Sequence, residues 1–316
     1  MRLQRFTTVL LMILVLTAGP AYAVGPFSHL NFARSLWPQA AQKLGLADKA
    51  EALLPVLYAG AMAPNAGYYL AGGDPLAEAV HIIKPVVLAE TMMALAASDE
   101  EKAFALGWLA AINLDRLMYP SILNALAAGP YTMKPLEHLK IQWGMECRLL
   151  ESPGAEWLWT AAPRLGAGLD LWSKAMAQVY QAKVPRKFLA RAQAAQVEEV
   201  KRLPEFFWLT GQLQRPDGFW GNLLGRSVRN SLRPAMLAWL RWSGGSPRLA
   251  TLLEADSSLT LGREMTRQLI SLGRAQVLAV LDGAKLPRGN LYADPACNNG
   301  GCPPARRAAR WLAKQR

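Results

Sequence analysis

The sequence predicts an all-α protein. Leu, Ala, Met and Trp recur at three- and four-residue intervals along most of its 316 residues, the spacing that lines one face of a helix. Runs of alternating β-branched residues, the mark of strands, are absent. Pro and Gly fall between the periodic stretches, where helices should end.

In order, Asn31 to Leu44 and Ala50 to Ala61 read as the first two helices. Pro64 to Pro75 is rich in Gly and Pro and reads as a loop. Lys84 to Ala97 is a third helix. Glu100 to Ala127 is a long one, with Ser98 and Asp99 as caps and a kink or break expected near Pro120. Pro135 to Leu150 follows. Beyond Ser152 the character changes, because eight of the eleven tryptophans and most of the basic residues lie there. Helix candidates in that half are Leu169 to Gln181, Pro185 to Arg202, Pro234 to Trp242, Ser246 to Glu254 and Leu261 to Leu281. Ala305 to Arg316 is a short basic helix that reads either as a solvated, fraying end or as a membrane-surface helix. The expected division is 1–23, 24–151 and 152–316, with the last two able to pack as one unit.

The first segment reads as a secretory signal. Arg2 and Arg5 form its positive end, Val9 to Leu16 its apolar run, and Ala21-Tyr22-Ala23 a small-residue cleavage site. The mature chain would start at Val24 and be exported across the inner membrane, to the periplasm. Ala105 to Ala127 is the nearest approach to a membrane span, but Asp115 and Arg116 interrupt it. The formal charge of +12 becomes +10 once Arg2 and Arg5 are removed, which suits solubility or an anionic surface such as phospholipid headgroups. Cys297 and Cys302 bracket Asn298-Asn299-Gly300-Gly301, a spacing that suggests a local disulfide in an oxidising compartment. Cys147 is left over and reads as a buried thiol.

Four stretches carry the candidate chemistry, and each of the only three histidines lies in or near one of them. His29 belongs to Gly25-Pro26-Phe27-Ser28-His29, and His81 follows Ala63-Pro64-Asn65-Ala66-Gly67-Tyr68. Gly107-Trp108 through Asp115 to Tyr119-Pro120 forms a helical stretch, and His138 opens His138-Leu139-Lys140-Ile141-Gln142-Trp143-Gly144. Ala111, Asp115 and Tyr119 are four residues apart, as are His138, Gln142 and Glu146, so each trio shares a helix face.

Over Gly25 to Leu150 these stretches resemble the zinc-dependent phospholipase C family, of the phospholipase C/P1 nuclease superfamily. The resemblance implies a multi-helical phospholipase C/P1 nuclease-like bundle. It also implies a site of His, Asp and Glu on helices that holds three zinc ions and hydrolyses a phosphodiester through metal-bound water. His29, His81, Asp115 and His138 stand at ligand positions and are retained. Asn65, Ala111, Tyr119 and Gln142 stand where the family has Asp, His, His and Glu. Asn65 also takes the position of the family's general base, so catalysis loses its base there. Glu146 either substitutes as a ligand or hydrogen-bonds Gln142. The N-terminal amine, a zinc ligand in the family, would belong to Val24.

Three zinc ions carry about six positive charges, and a set in which two carboxylates have become amides offers too little to offset them. Fewer than three ions are expected. Either one divalent ion is held by His81, Asp115 and His138, with or without His29, or no metal binds and these groups hydrogen-bond to one another. The expectation is a degenerate phospholipase C-like protein that binds lipid or protein in the former cleft without catalysis. The alternative is a residual metal-dependent phosphodiesterase. Nucleic acid is not expected as a partner, since the related nucleases need the same missing ligands.

Overall fold

The computed structural model describes residues 25–209, 263–298 and 300–316, and between them positions 227, 234, 235, 237, 238 and 254. The signal segment, Val24, and nearly all of the helix candidates Pro234 to Trp242 and Ser246 to Glu254 lie outside the described residues. The described part is an all-α bundle without a strand.

Helix α1 (Pro26–Lys43) leads into α2 (Ala50–Met62) and a 3-10 segment, Ala63–Tyr69. Helices α3 (Asp74–Ile82), α4 (Pro85–Leu95) and α5 (Asp99–Met118) follow. A π-turn at Tyr119–Leu123 and one turn at Asn124–Leu126 extend α5. Then come α6 (Pro135–Leu150), α7 (Leu169–Tyr180), α8 (Arg186–Leu209), α9 (Arg263–Leu281) and α10 (Pro303–Ala313).

Helix α5 is the centre of the molecule. Every residue from Ala103 to Asp115 is buried, as expected of a helix that is apolar all round. Its start is fixed by a capping box. Ser98 Oγ accepts from the Glu101 amide at 3.2 Å, and Glu101 Oε2 accepts from the Ser98 amide at 3.1 Å. Helices α1, α2, α4 and α9 pack around it. The α2–α5 crossing is closest at Gly60 and Gly107. A Cβ on Gly107 would lie 2.1 Å from the Leu57 carbonyl oxygen, and one on Gly60 would lie 2.0 Å from that of Phe104.

Two expectations are corrected and a third is met. The first helix starts at Pro26 rather than Asn31, because proline is preorganised for the first turn and has no amide to leave unpaired. The Pro64 to Pro75 loop is instead the 3-10 segment followed by the start of α3. Pro64 and Pro75 each occupy a first-turn position there, where proline begins a helix rather than breaking it. The kink or break expected near Pro120 is met: the α-helix ends at Met118, and the backbone widens into a π-turn over Tyr119–Leu123.

The described residues of the C-terminal half pack into the same core as the first. Helix α8 lies against the 3-10 segment, where Gln196 Nε2 donates to the Met62 carbonyl at 2.8 Å. Tyr180 on α7 donates to the Ile83 carbonyl at 2.5 Å. Helix α10 lies along α3 with Ala305, Ala308 and Leu312 buried, and Arg307 pairs with the buried Glu78. Its apolar face is therefore packed into the core. Cys297 and Cys302 are bridged, Cys302 Sγ accepts from the Ala305 amide as the α10 N-cap, and Cys147 is a buried thiol.

Candidate functional site: a buried histidine–aspartate core

Asp115 lies on the inner face of α5 and is completely buried. Its Oδ1 is 3.0 Å from Nε2 of His29 on α1, and its Oδ2 is 3.4 Å from Nε2 of His81 at the end of α3. Burial pushes the Asp115 carboxyl up, but the two imidazoles outweigh it and hold the group below the usual carboxylate range. Three residues from three helices thus meet around one carboxylate.

Each imidazole is oriented by a second partner. His81 Nδ1 donates to the Ala77 carbonyl one turn earlier at 2.7 Å, which leaves Nε2 facing Asp115. His29 Nδ1 lies 3.3 Å from Nδ2 of Asn65. With the Asn65 amide donating to it, the His29 proton sits on Nε2 and points at Asp115. An aspartate at position 65 would offer no such donor. The amide at this position therefore suits a hydrogen-bonded core.

His138 is not brought to Asp115. Its Nε2 donates to the Gly129 carbonyl at 2.9 Å, and its ring stacks on Tyr119 with centroids 5.9 Å apart. Burial lowers its pKa, opposed by the Gly129 carbonyl. Gln142 donates from Nε2 to the Tyr119 hydroxyl at 3.2 Å. Ala111 is buried on α5 and adds no polar atom to the site. Glu146 turns its carboxylate to the N-terminus of α1. It accepts there from the Phe27 amide at 2.6 Å, from the Ser28 amide at 3.1 Å and from the Ser28 hydroxyl. It acts as a remote cap, favoured by the helix dipole. Burial pushes its carboxyl up to about 7 against these donors.

One residue of this site has no signal in the sequence motifs. Tyr292, from the C-terminal segment, is fully buried among Tyr68, His81, Tyr119 and Tyr131. Its hydroxyl is 2.7 Å from that of Tyr68, and its carbonyl accepts from Asn124 Nδ2 at 3.0 Å. The neighbouring Leu291 amide donates to the His81 carbonyl at 3.0 Å. The C-terminal segment is thereby strapped across the end of α3, and its tyrosine fills the space between His81 and Tyr119. A tyrosine flanked by turn residues gives no periodic pattern that would place it there.

The donor set can be compared with what zinc needs, which is four nitrogen, oxygen or sulfur donors converging at about 2.0–2.3 Å. Among the described residues no three His, Cys, Asp or Glu side chains form such a group. His29 and His81 address different oxygens of Asp115, and His138 and Glu146 are engaged elsewhere. The residues that meet here do not fit a multinuclear zinc centre.

No protein-family model matches the chain, and no curated protein or solved structure matches it.

Proposed function

We propose that this chain is a non-catalytic protein of phospholipase C-like ancestry, exported to the periplasm, that acts by binding rather than by turnover. One observation carries the reading. The Asp115 carboxylate is enclosed by His29 and His81, each oriented by a further hydrogen bond, and Tyr292 covers the imidazole of His81. Hydrolysis needs a phosphodiester in line with an activated water. Asp115, His29, His81 and His138 are all fully buried, and Asn65 and Gln142 are each 3 % exposed. A substrate has no path to the carboxylate among the described residues. In this reading the histidine–aspartate core is a structural element that ties α1, α3 and α5 together, and binding takes place on the outer surface.

A second reading, a residual metal-dependent phosphodiesterase, is favoured by one observation. His81 Nδ1 is anchored on a backbone carbonyl while Nε2, which makes no hydrogen bond, faces Asp115 Oδ2 at 3.4 Å, the arrangement that readies an imidazole as a ligand. Phosphodiesterase assays separate the two. The purified mature protein is incubated with zinc and either phosphatidylcholine vesicles or a soluble aryl phosphodiester, beside His81→Ala. The binding reading expects both proteins to be equally inactive. Turnover by the wild type that His81→Ala abolishes would establish the residual hydrolase instead.

A further inference from the structure

Helix α10 and the residues that follow it, Pro303 to Arg316, carry five cations and no acidic side chain. We infer that the outer face of α10, with the cations around the start of α8 beside it, is the surface by which this protein holds an anionic phospholipid bilayer. Arg306, Arg310 and Lys314 are four residues apart, share one helix face and are all exposed. The opposite face is packed into the core through Ala305, Ala308 and Leu312. The Lys183 amide donates to the Gln315 carbonyl at 2.7 Å, and Phe188 packs on Trp311 with ring centroids 6.0 Å apart. The exposed Lys183 and Lys187 thereby lie beside the stripe. The Cys297–Cys302 bridge at the N-cap and the pairing of Arg307 with Glu78 hold the helix in place, which lowers the ordering cost of docking.

The positive charge survives a count of its neighbours. Glu78 offsets Arg307, Asp170 pairs with Arg186 at 3.1 Å, and the terminal carboxylate offsets Arg316. Asp74 is the other acid of α3, along which α10 lies. The first acid of α8, Glu198, comes well beyond Phe188 and pairs with Arg202. Arg306, Arg310, Lys314, Lys183 and Lys187 therefore stand against Asp74. Asp217, Asp256 and Glu264 are the acids whose side chains lie outside the described part, and they are too few to reverse the balance; seven arginines lie outside it in the same stretch, 215–263. Cations at i and i+4 repel one another, and the helix dipole disfavours Arg306 and Arg307 in the first turn. Solubility is met as well by charges of mixed sign, so a face of one sign points to an anionic partner. Single-stranded nucleic acid is held by open aromatic faces, whereas Phe188 and Trp311 are half-buried against each other. A protein interface needs a buried aromatic or aliphatic anchor, which the exposed face of α10 does not offer. A bilayer needs only a plane of phosphate charge, and each basic residue brought to an anionic leaflet strengthens binding about fivefold.

The inference rests on the binding reading above and names the surface that binds. The full mature protein is co-sedimented with vesicles of phosphatidylcholine alone and of phosphatidylcholine with phosphatidylglycerol. Chelator is present, so turnover does not enter and the phosphodiesterase assay can fail or succeed separately. Binding to the mixed vesicles, weakened by salt, is expected, and Arg306→Gln/Arg310→Gln/Lys314→Gln should weaken it about tenfold or more. Lys183→Gln/Lys187→Gln, on the neighbouring element, should weaken it as well. Lys43→Gln/Lys49→Gln/Lys134→Gln removes the same charge as the α10 variant from exposed positions on other elements and should weaken binding far less. Every substituted side chain is exposed, and thermal melts check that each variant is folded. Equal loss in the two triple variants would mean that net charge alone acts, and would overturn the inference. So would wild-type protein that binds neither vesicle, or that binds duplex DNA more tightly than the mixed vesicles at equal phosphate concentration.

Discussion

Tyr292 lies nearly parallel to His81, with ring centroids 6.2 Å apart and planes 7° apart, so that a residue of the C-terminal segment covers an imidazole of the site. Its hydroxyl meets that of Tyr68 at 2.7 Å. The contact joins the far end of the chain to the part in which the recognisable motifs lie.

Removing that ring should cost more than removing its hydroxyl. Tyr292→Ala is expected to lower the unfolding free energy by about 3–5 kcal/mol, as other buried aromatic truncations do. Tyr292→Phe keeps the packing and loses one buried hydrogen bond, for about 1–2 kcal/mol. Urea titrations of the three proteins measure both differences. Equal costs would mean that the hydroxyl pair, not the ring, holds the segment.

The all-α class and most helix positions are legible in the sequence because buried faces repeat with the helical period. The capping box at Ser98 is legible because its chemistry is local. The 3-10 segment and α3 are hidden by their prolines and glycines, which read as breakers unless their place in the first turn is known. Of the site, Asp115 can be read as buried with a partner, since it stands in an apolar helix. His29 and His81 are named with Asp115 by the resemblance, as one hydrogen-bonded set. The departure of His138, the turning away of Glu146 and the insertion of Tyr292 depend on how separate helices pack, and no local pattern encodes them.

The α2–α5 crossing should tolerate no side chain. Gly107→Ala is expected to destabilise the protein by about 3 kcal/mol, because its Cβ would press on the Leu57 carbonyl and the helices must separate. Gly45→Ala has open space but a left-handed backbone (φ +71°), and should cost only about 1 kcal/mol. Chemical denaturation that ranked them in the opposite order would contradict the close approach.

The remote cap of α1 is testable at Glu146. Glu146→Ala leaves the buried amides of Phe27 and Ser28 without their acceptor and should cost about 2 kcal/mol. Glu146→Gln retains an acceptor and should cost less. Thermal or urea unfolding that showed no loss for the alanine variant would remove Glu146 from this role.

Stability should fall as pH rises from about 4.5 to about 7, in part through Glu78. Burial raises its carboxyl from the usual carboxylate range to about 7, outweighing the guanidinium of Arg307 beside it. A carboxyl with a raised folded pKa binds its proton more tightly in the folded state. Its contribution is complete below its unfolded pKa and is lost as pH rises through the folded one. Glu78→Gln should flatten the decline. Arg307→Ala removes the opposing cation and should carry the decline to higher pH. Denaturant midpoints across this range supply the curve, and a decline unchanged in Glu78→Gln would exclude this residue as its source.

Hydrogen bonds and ring packing of the protein's own side chains close the histidine–aspartate core among the described residues. The most direct measurement is the zinc content of the mature protein, purified without chelator and dialysed against metal-free buffer, by elemental analysis per chain. At most one ion is expected, because His138 and Glu146 are engaged elsewhere and positions 65 and 142 carry neutral amides. Two or three tightly held ions per chain would contradict it.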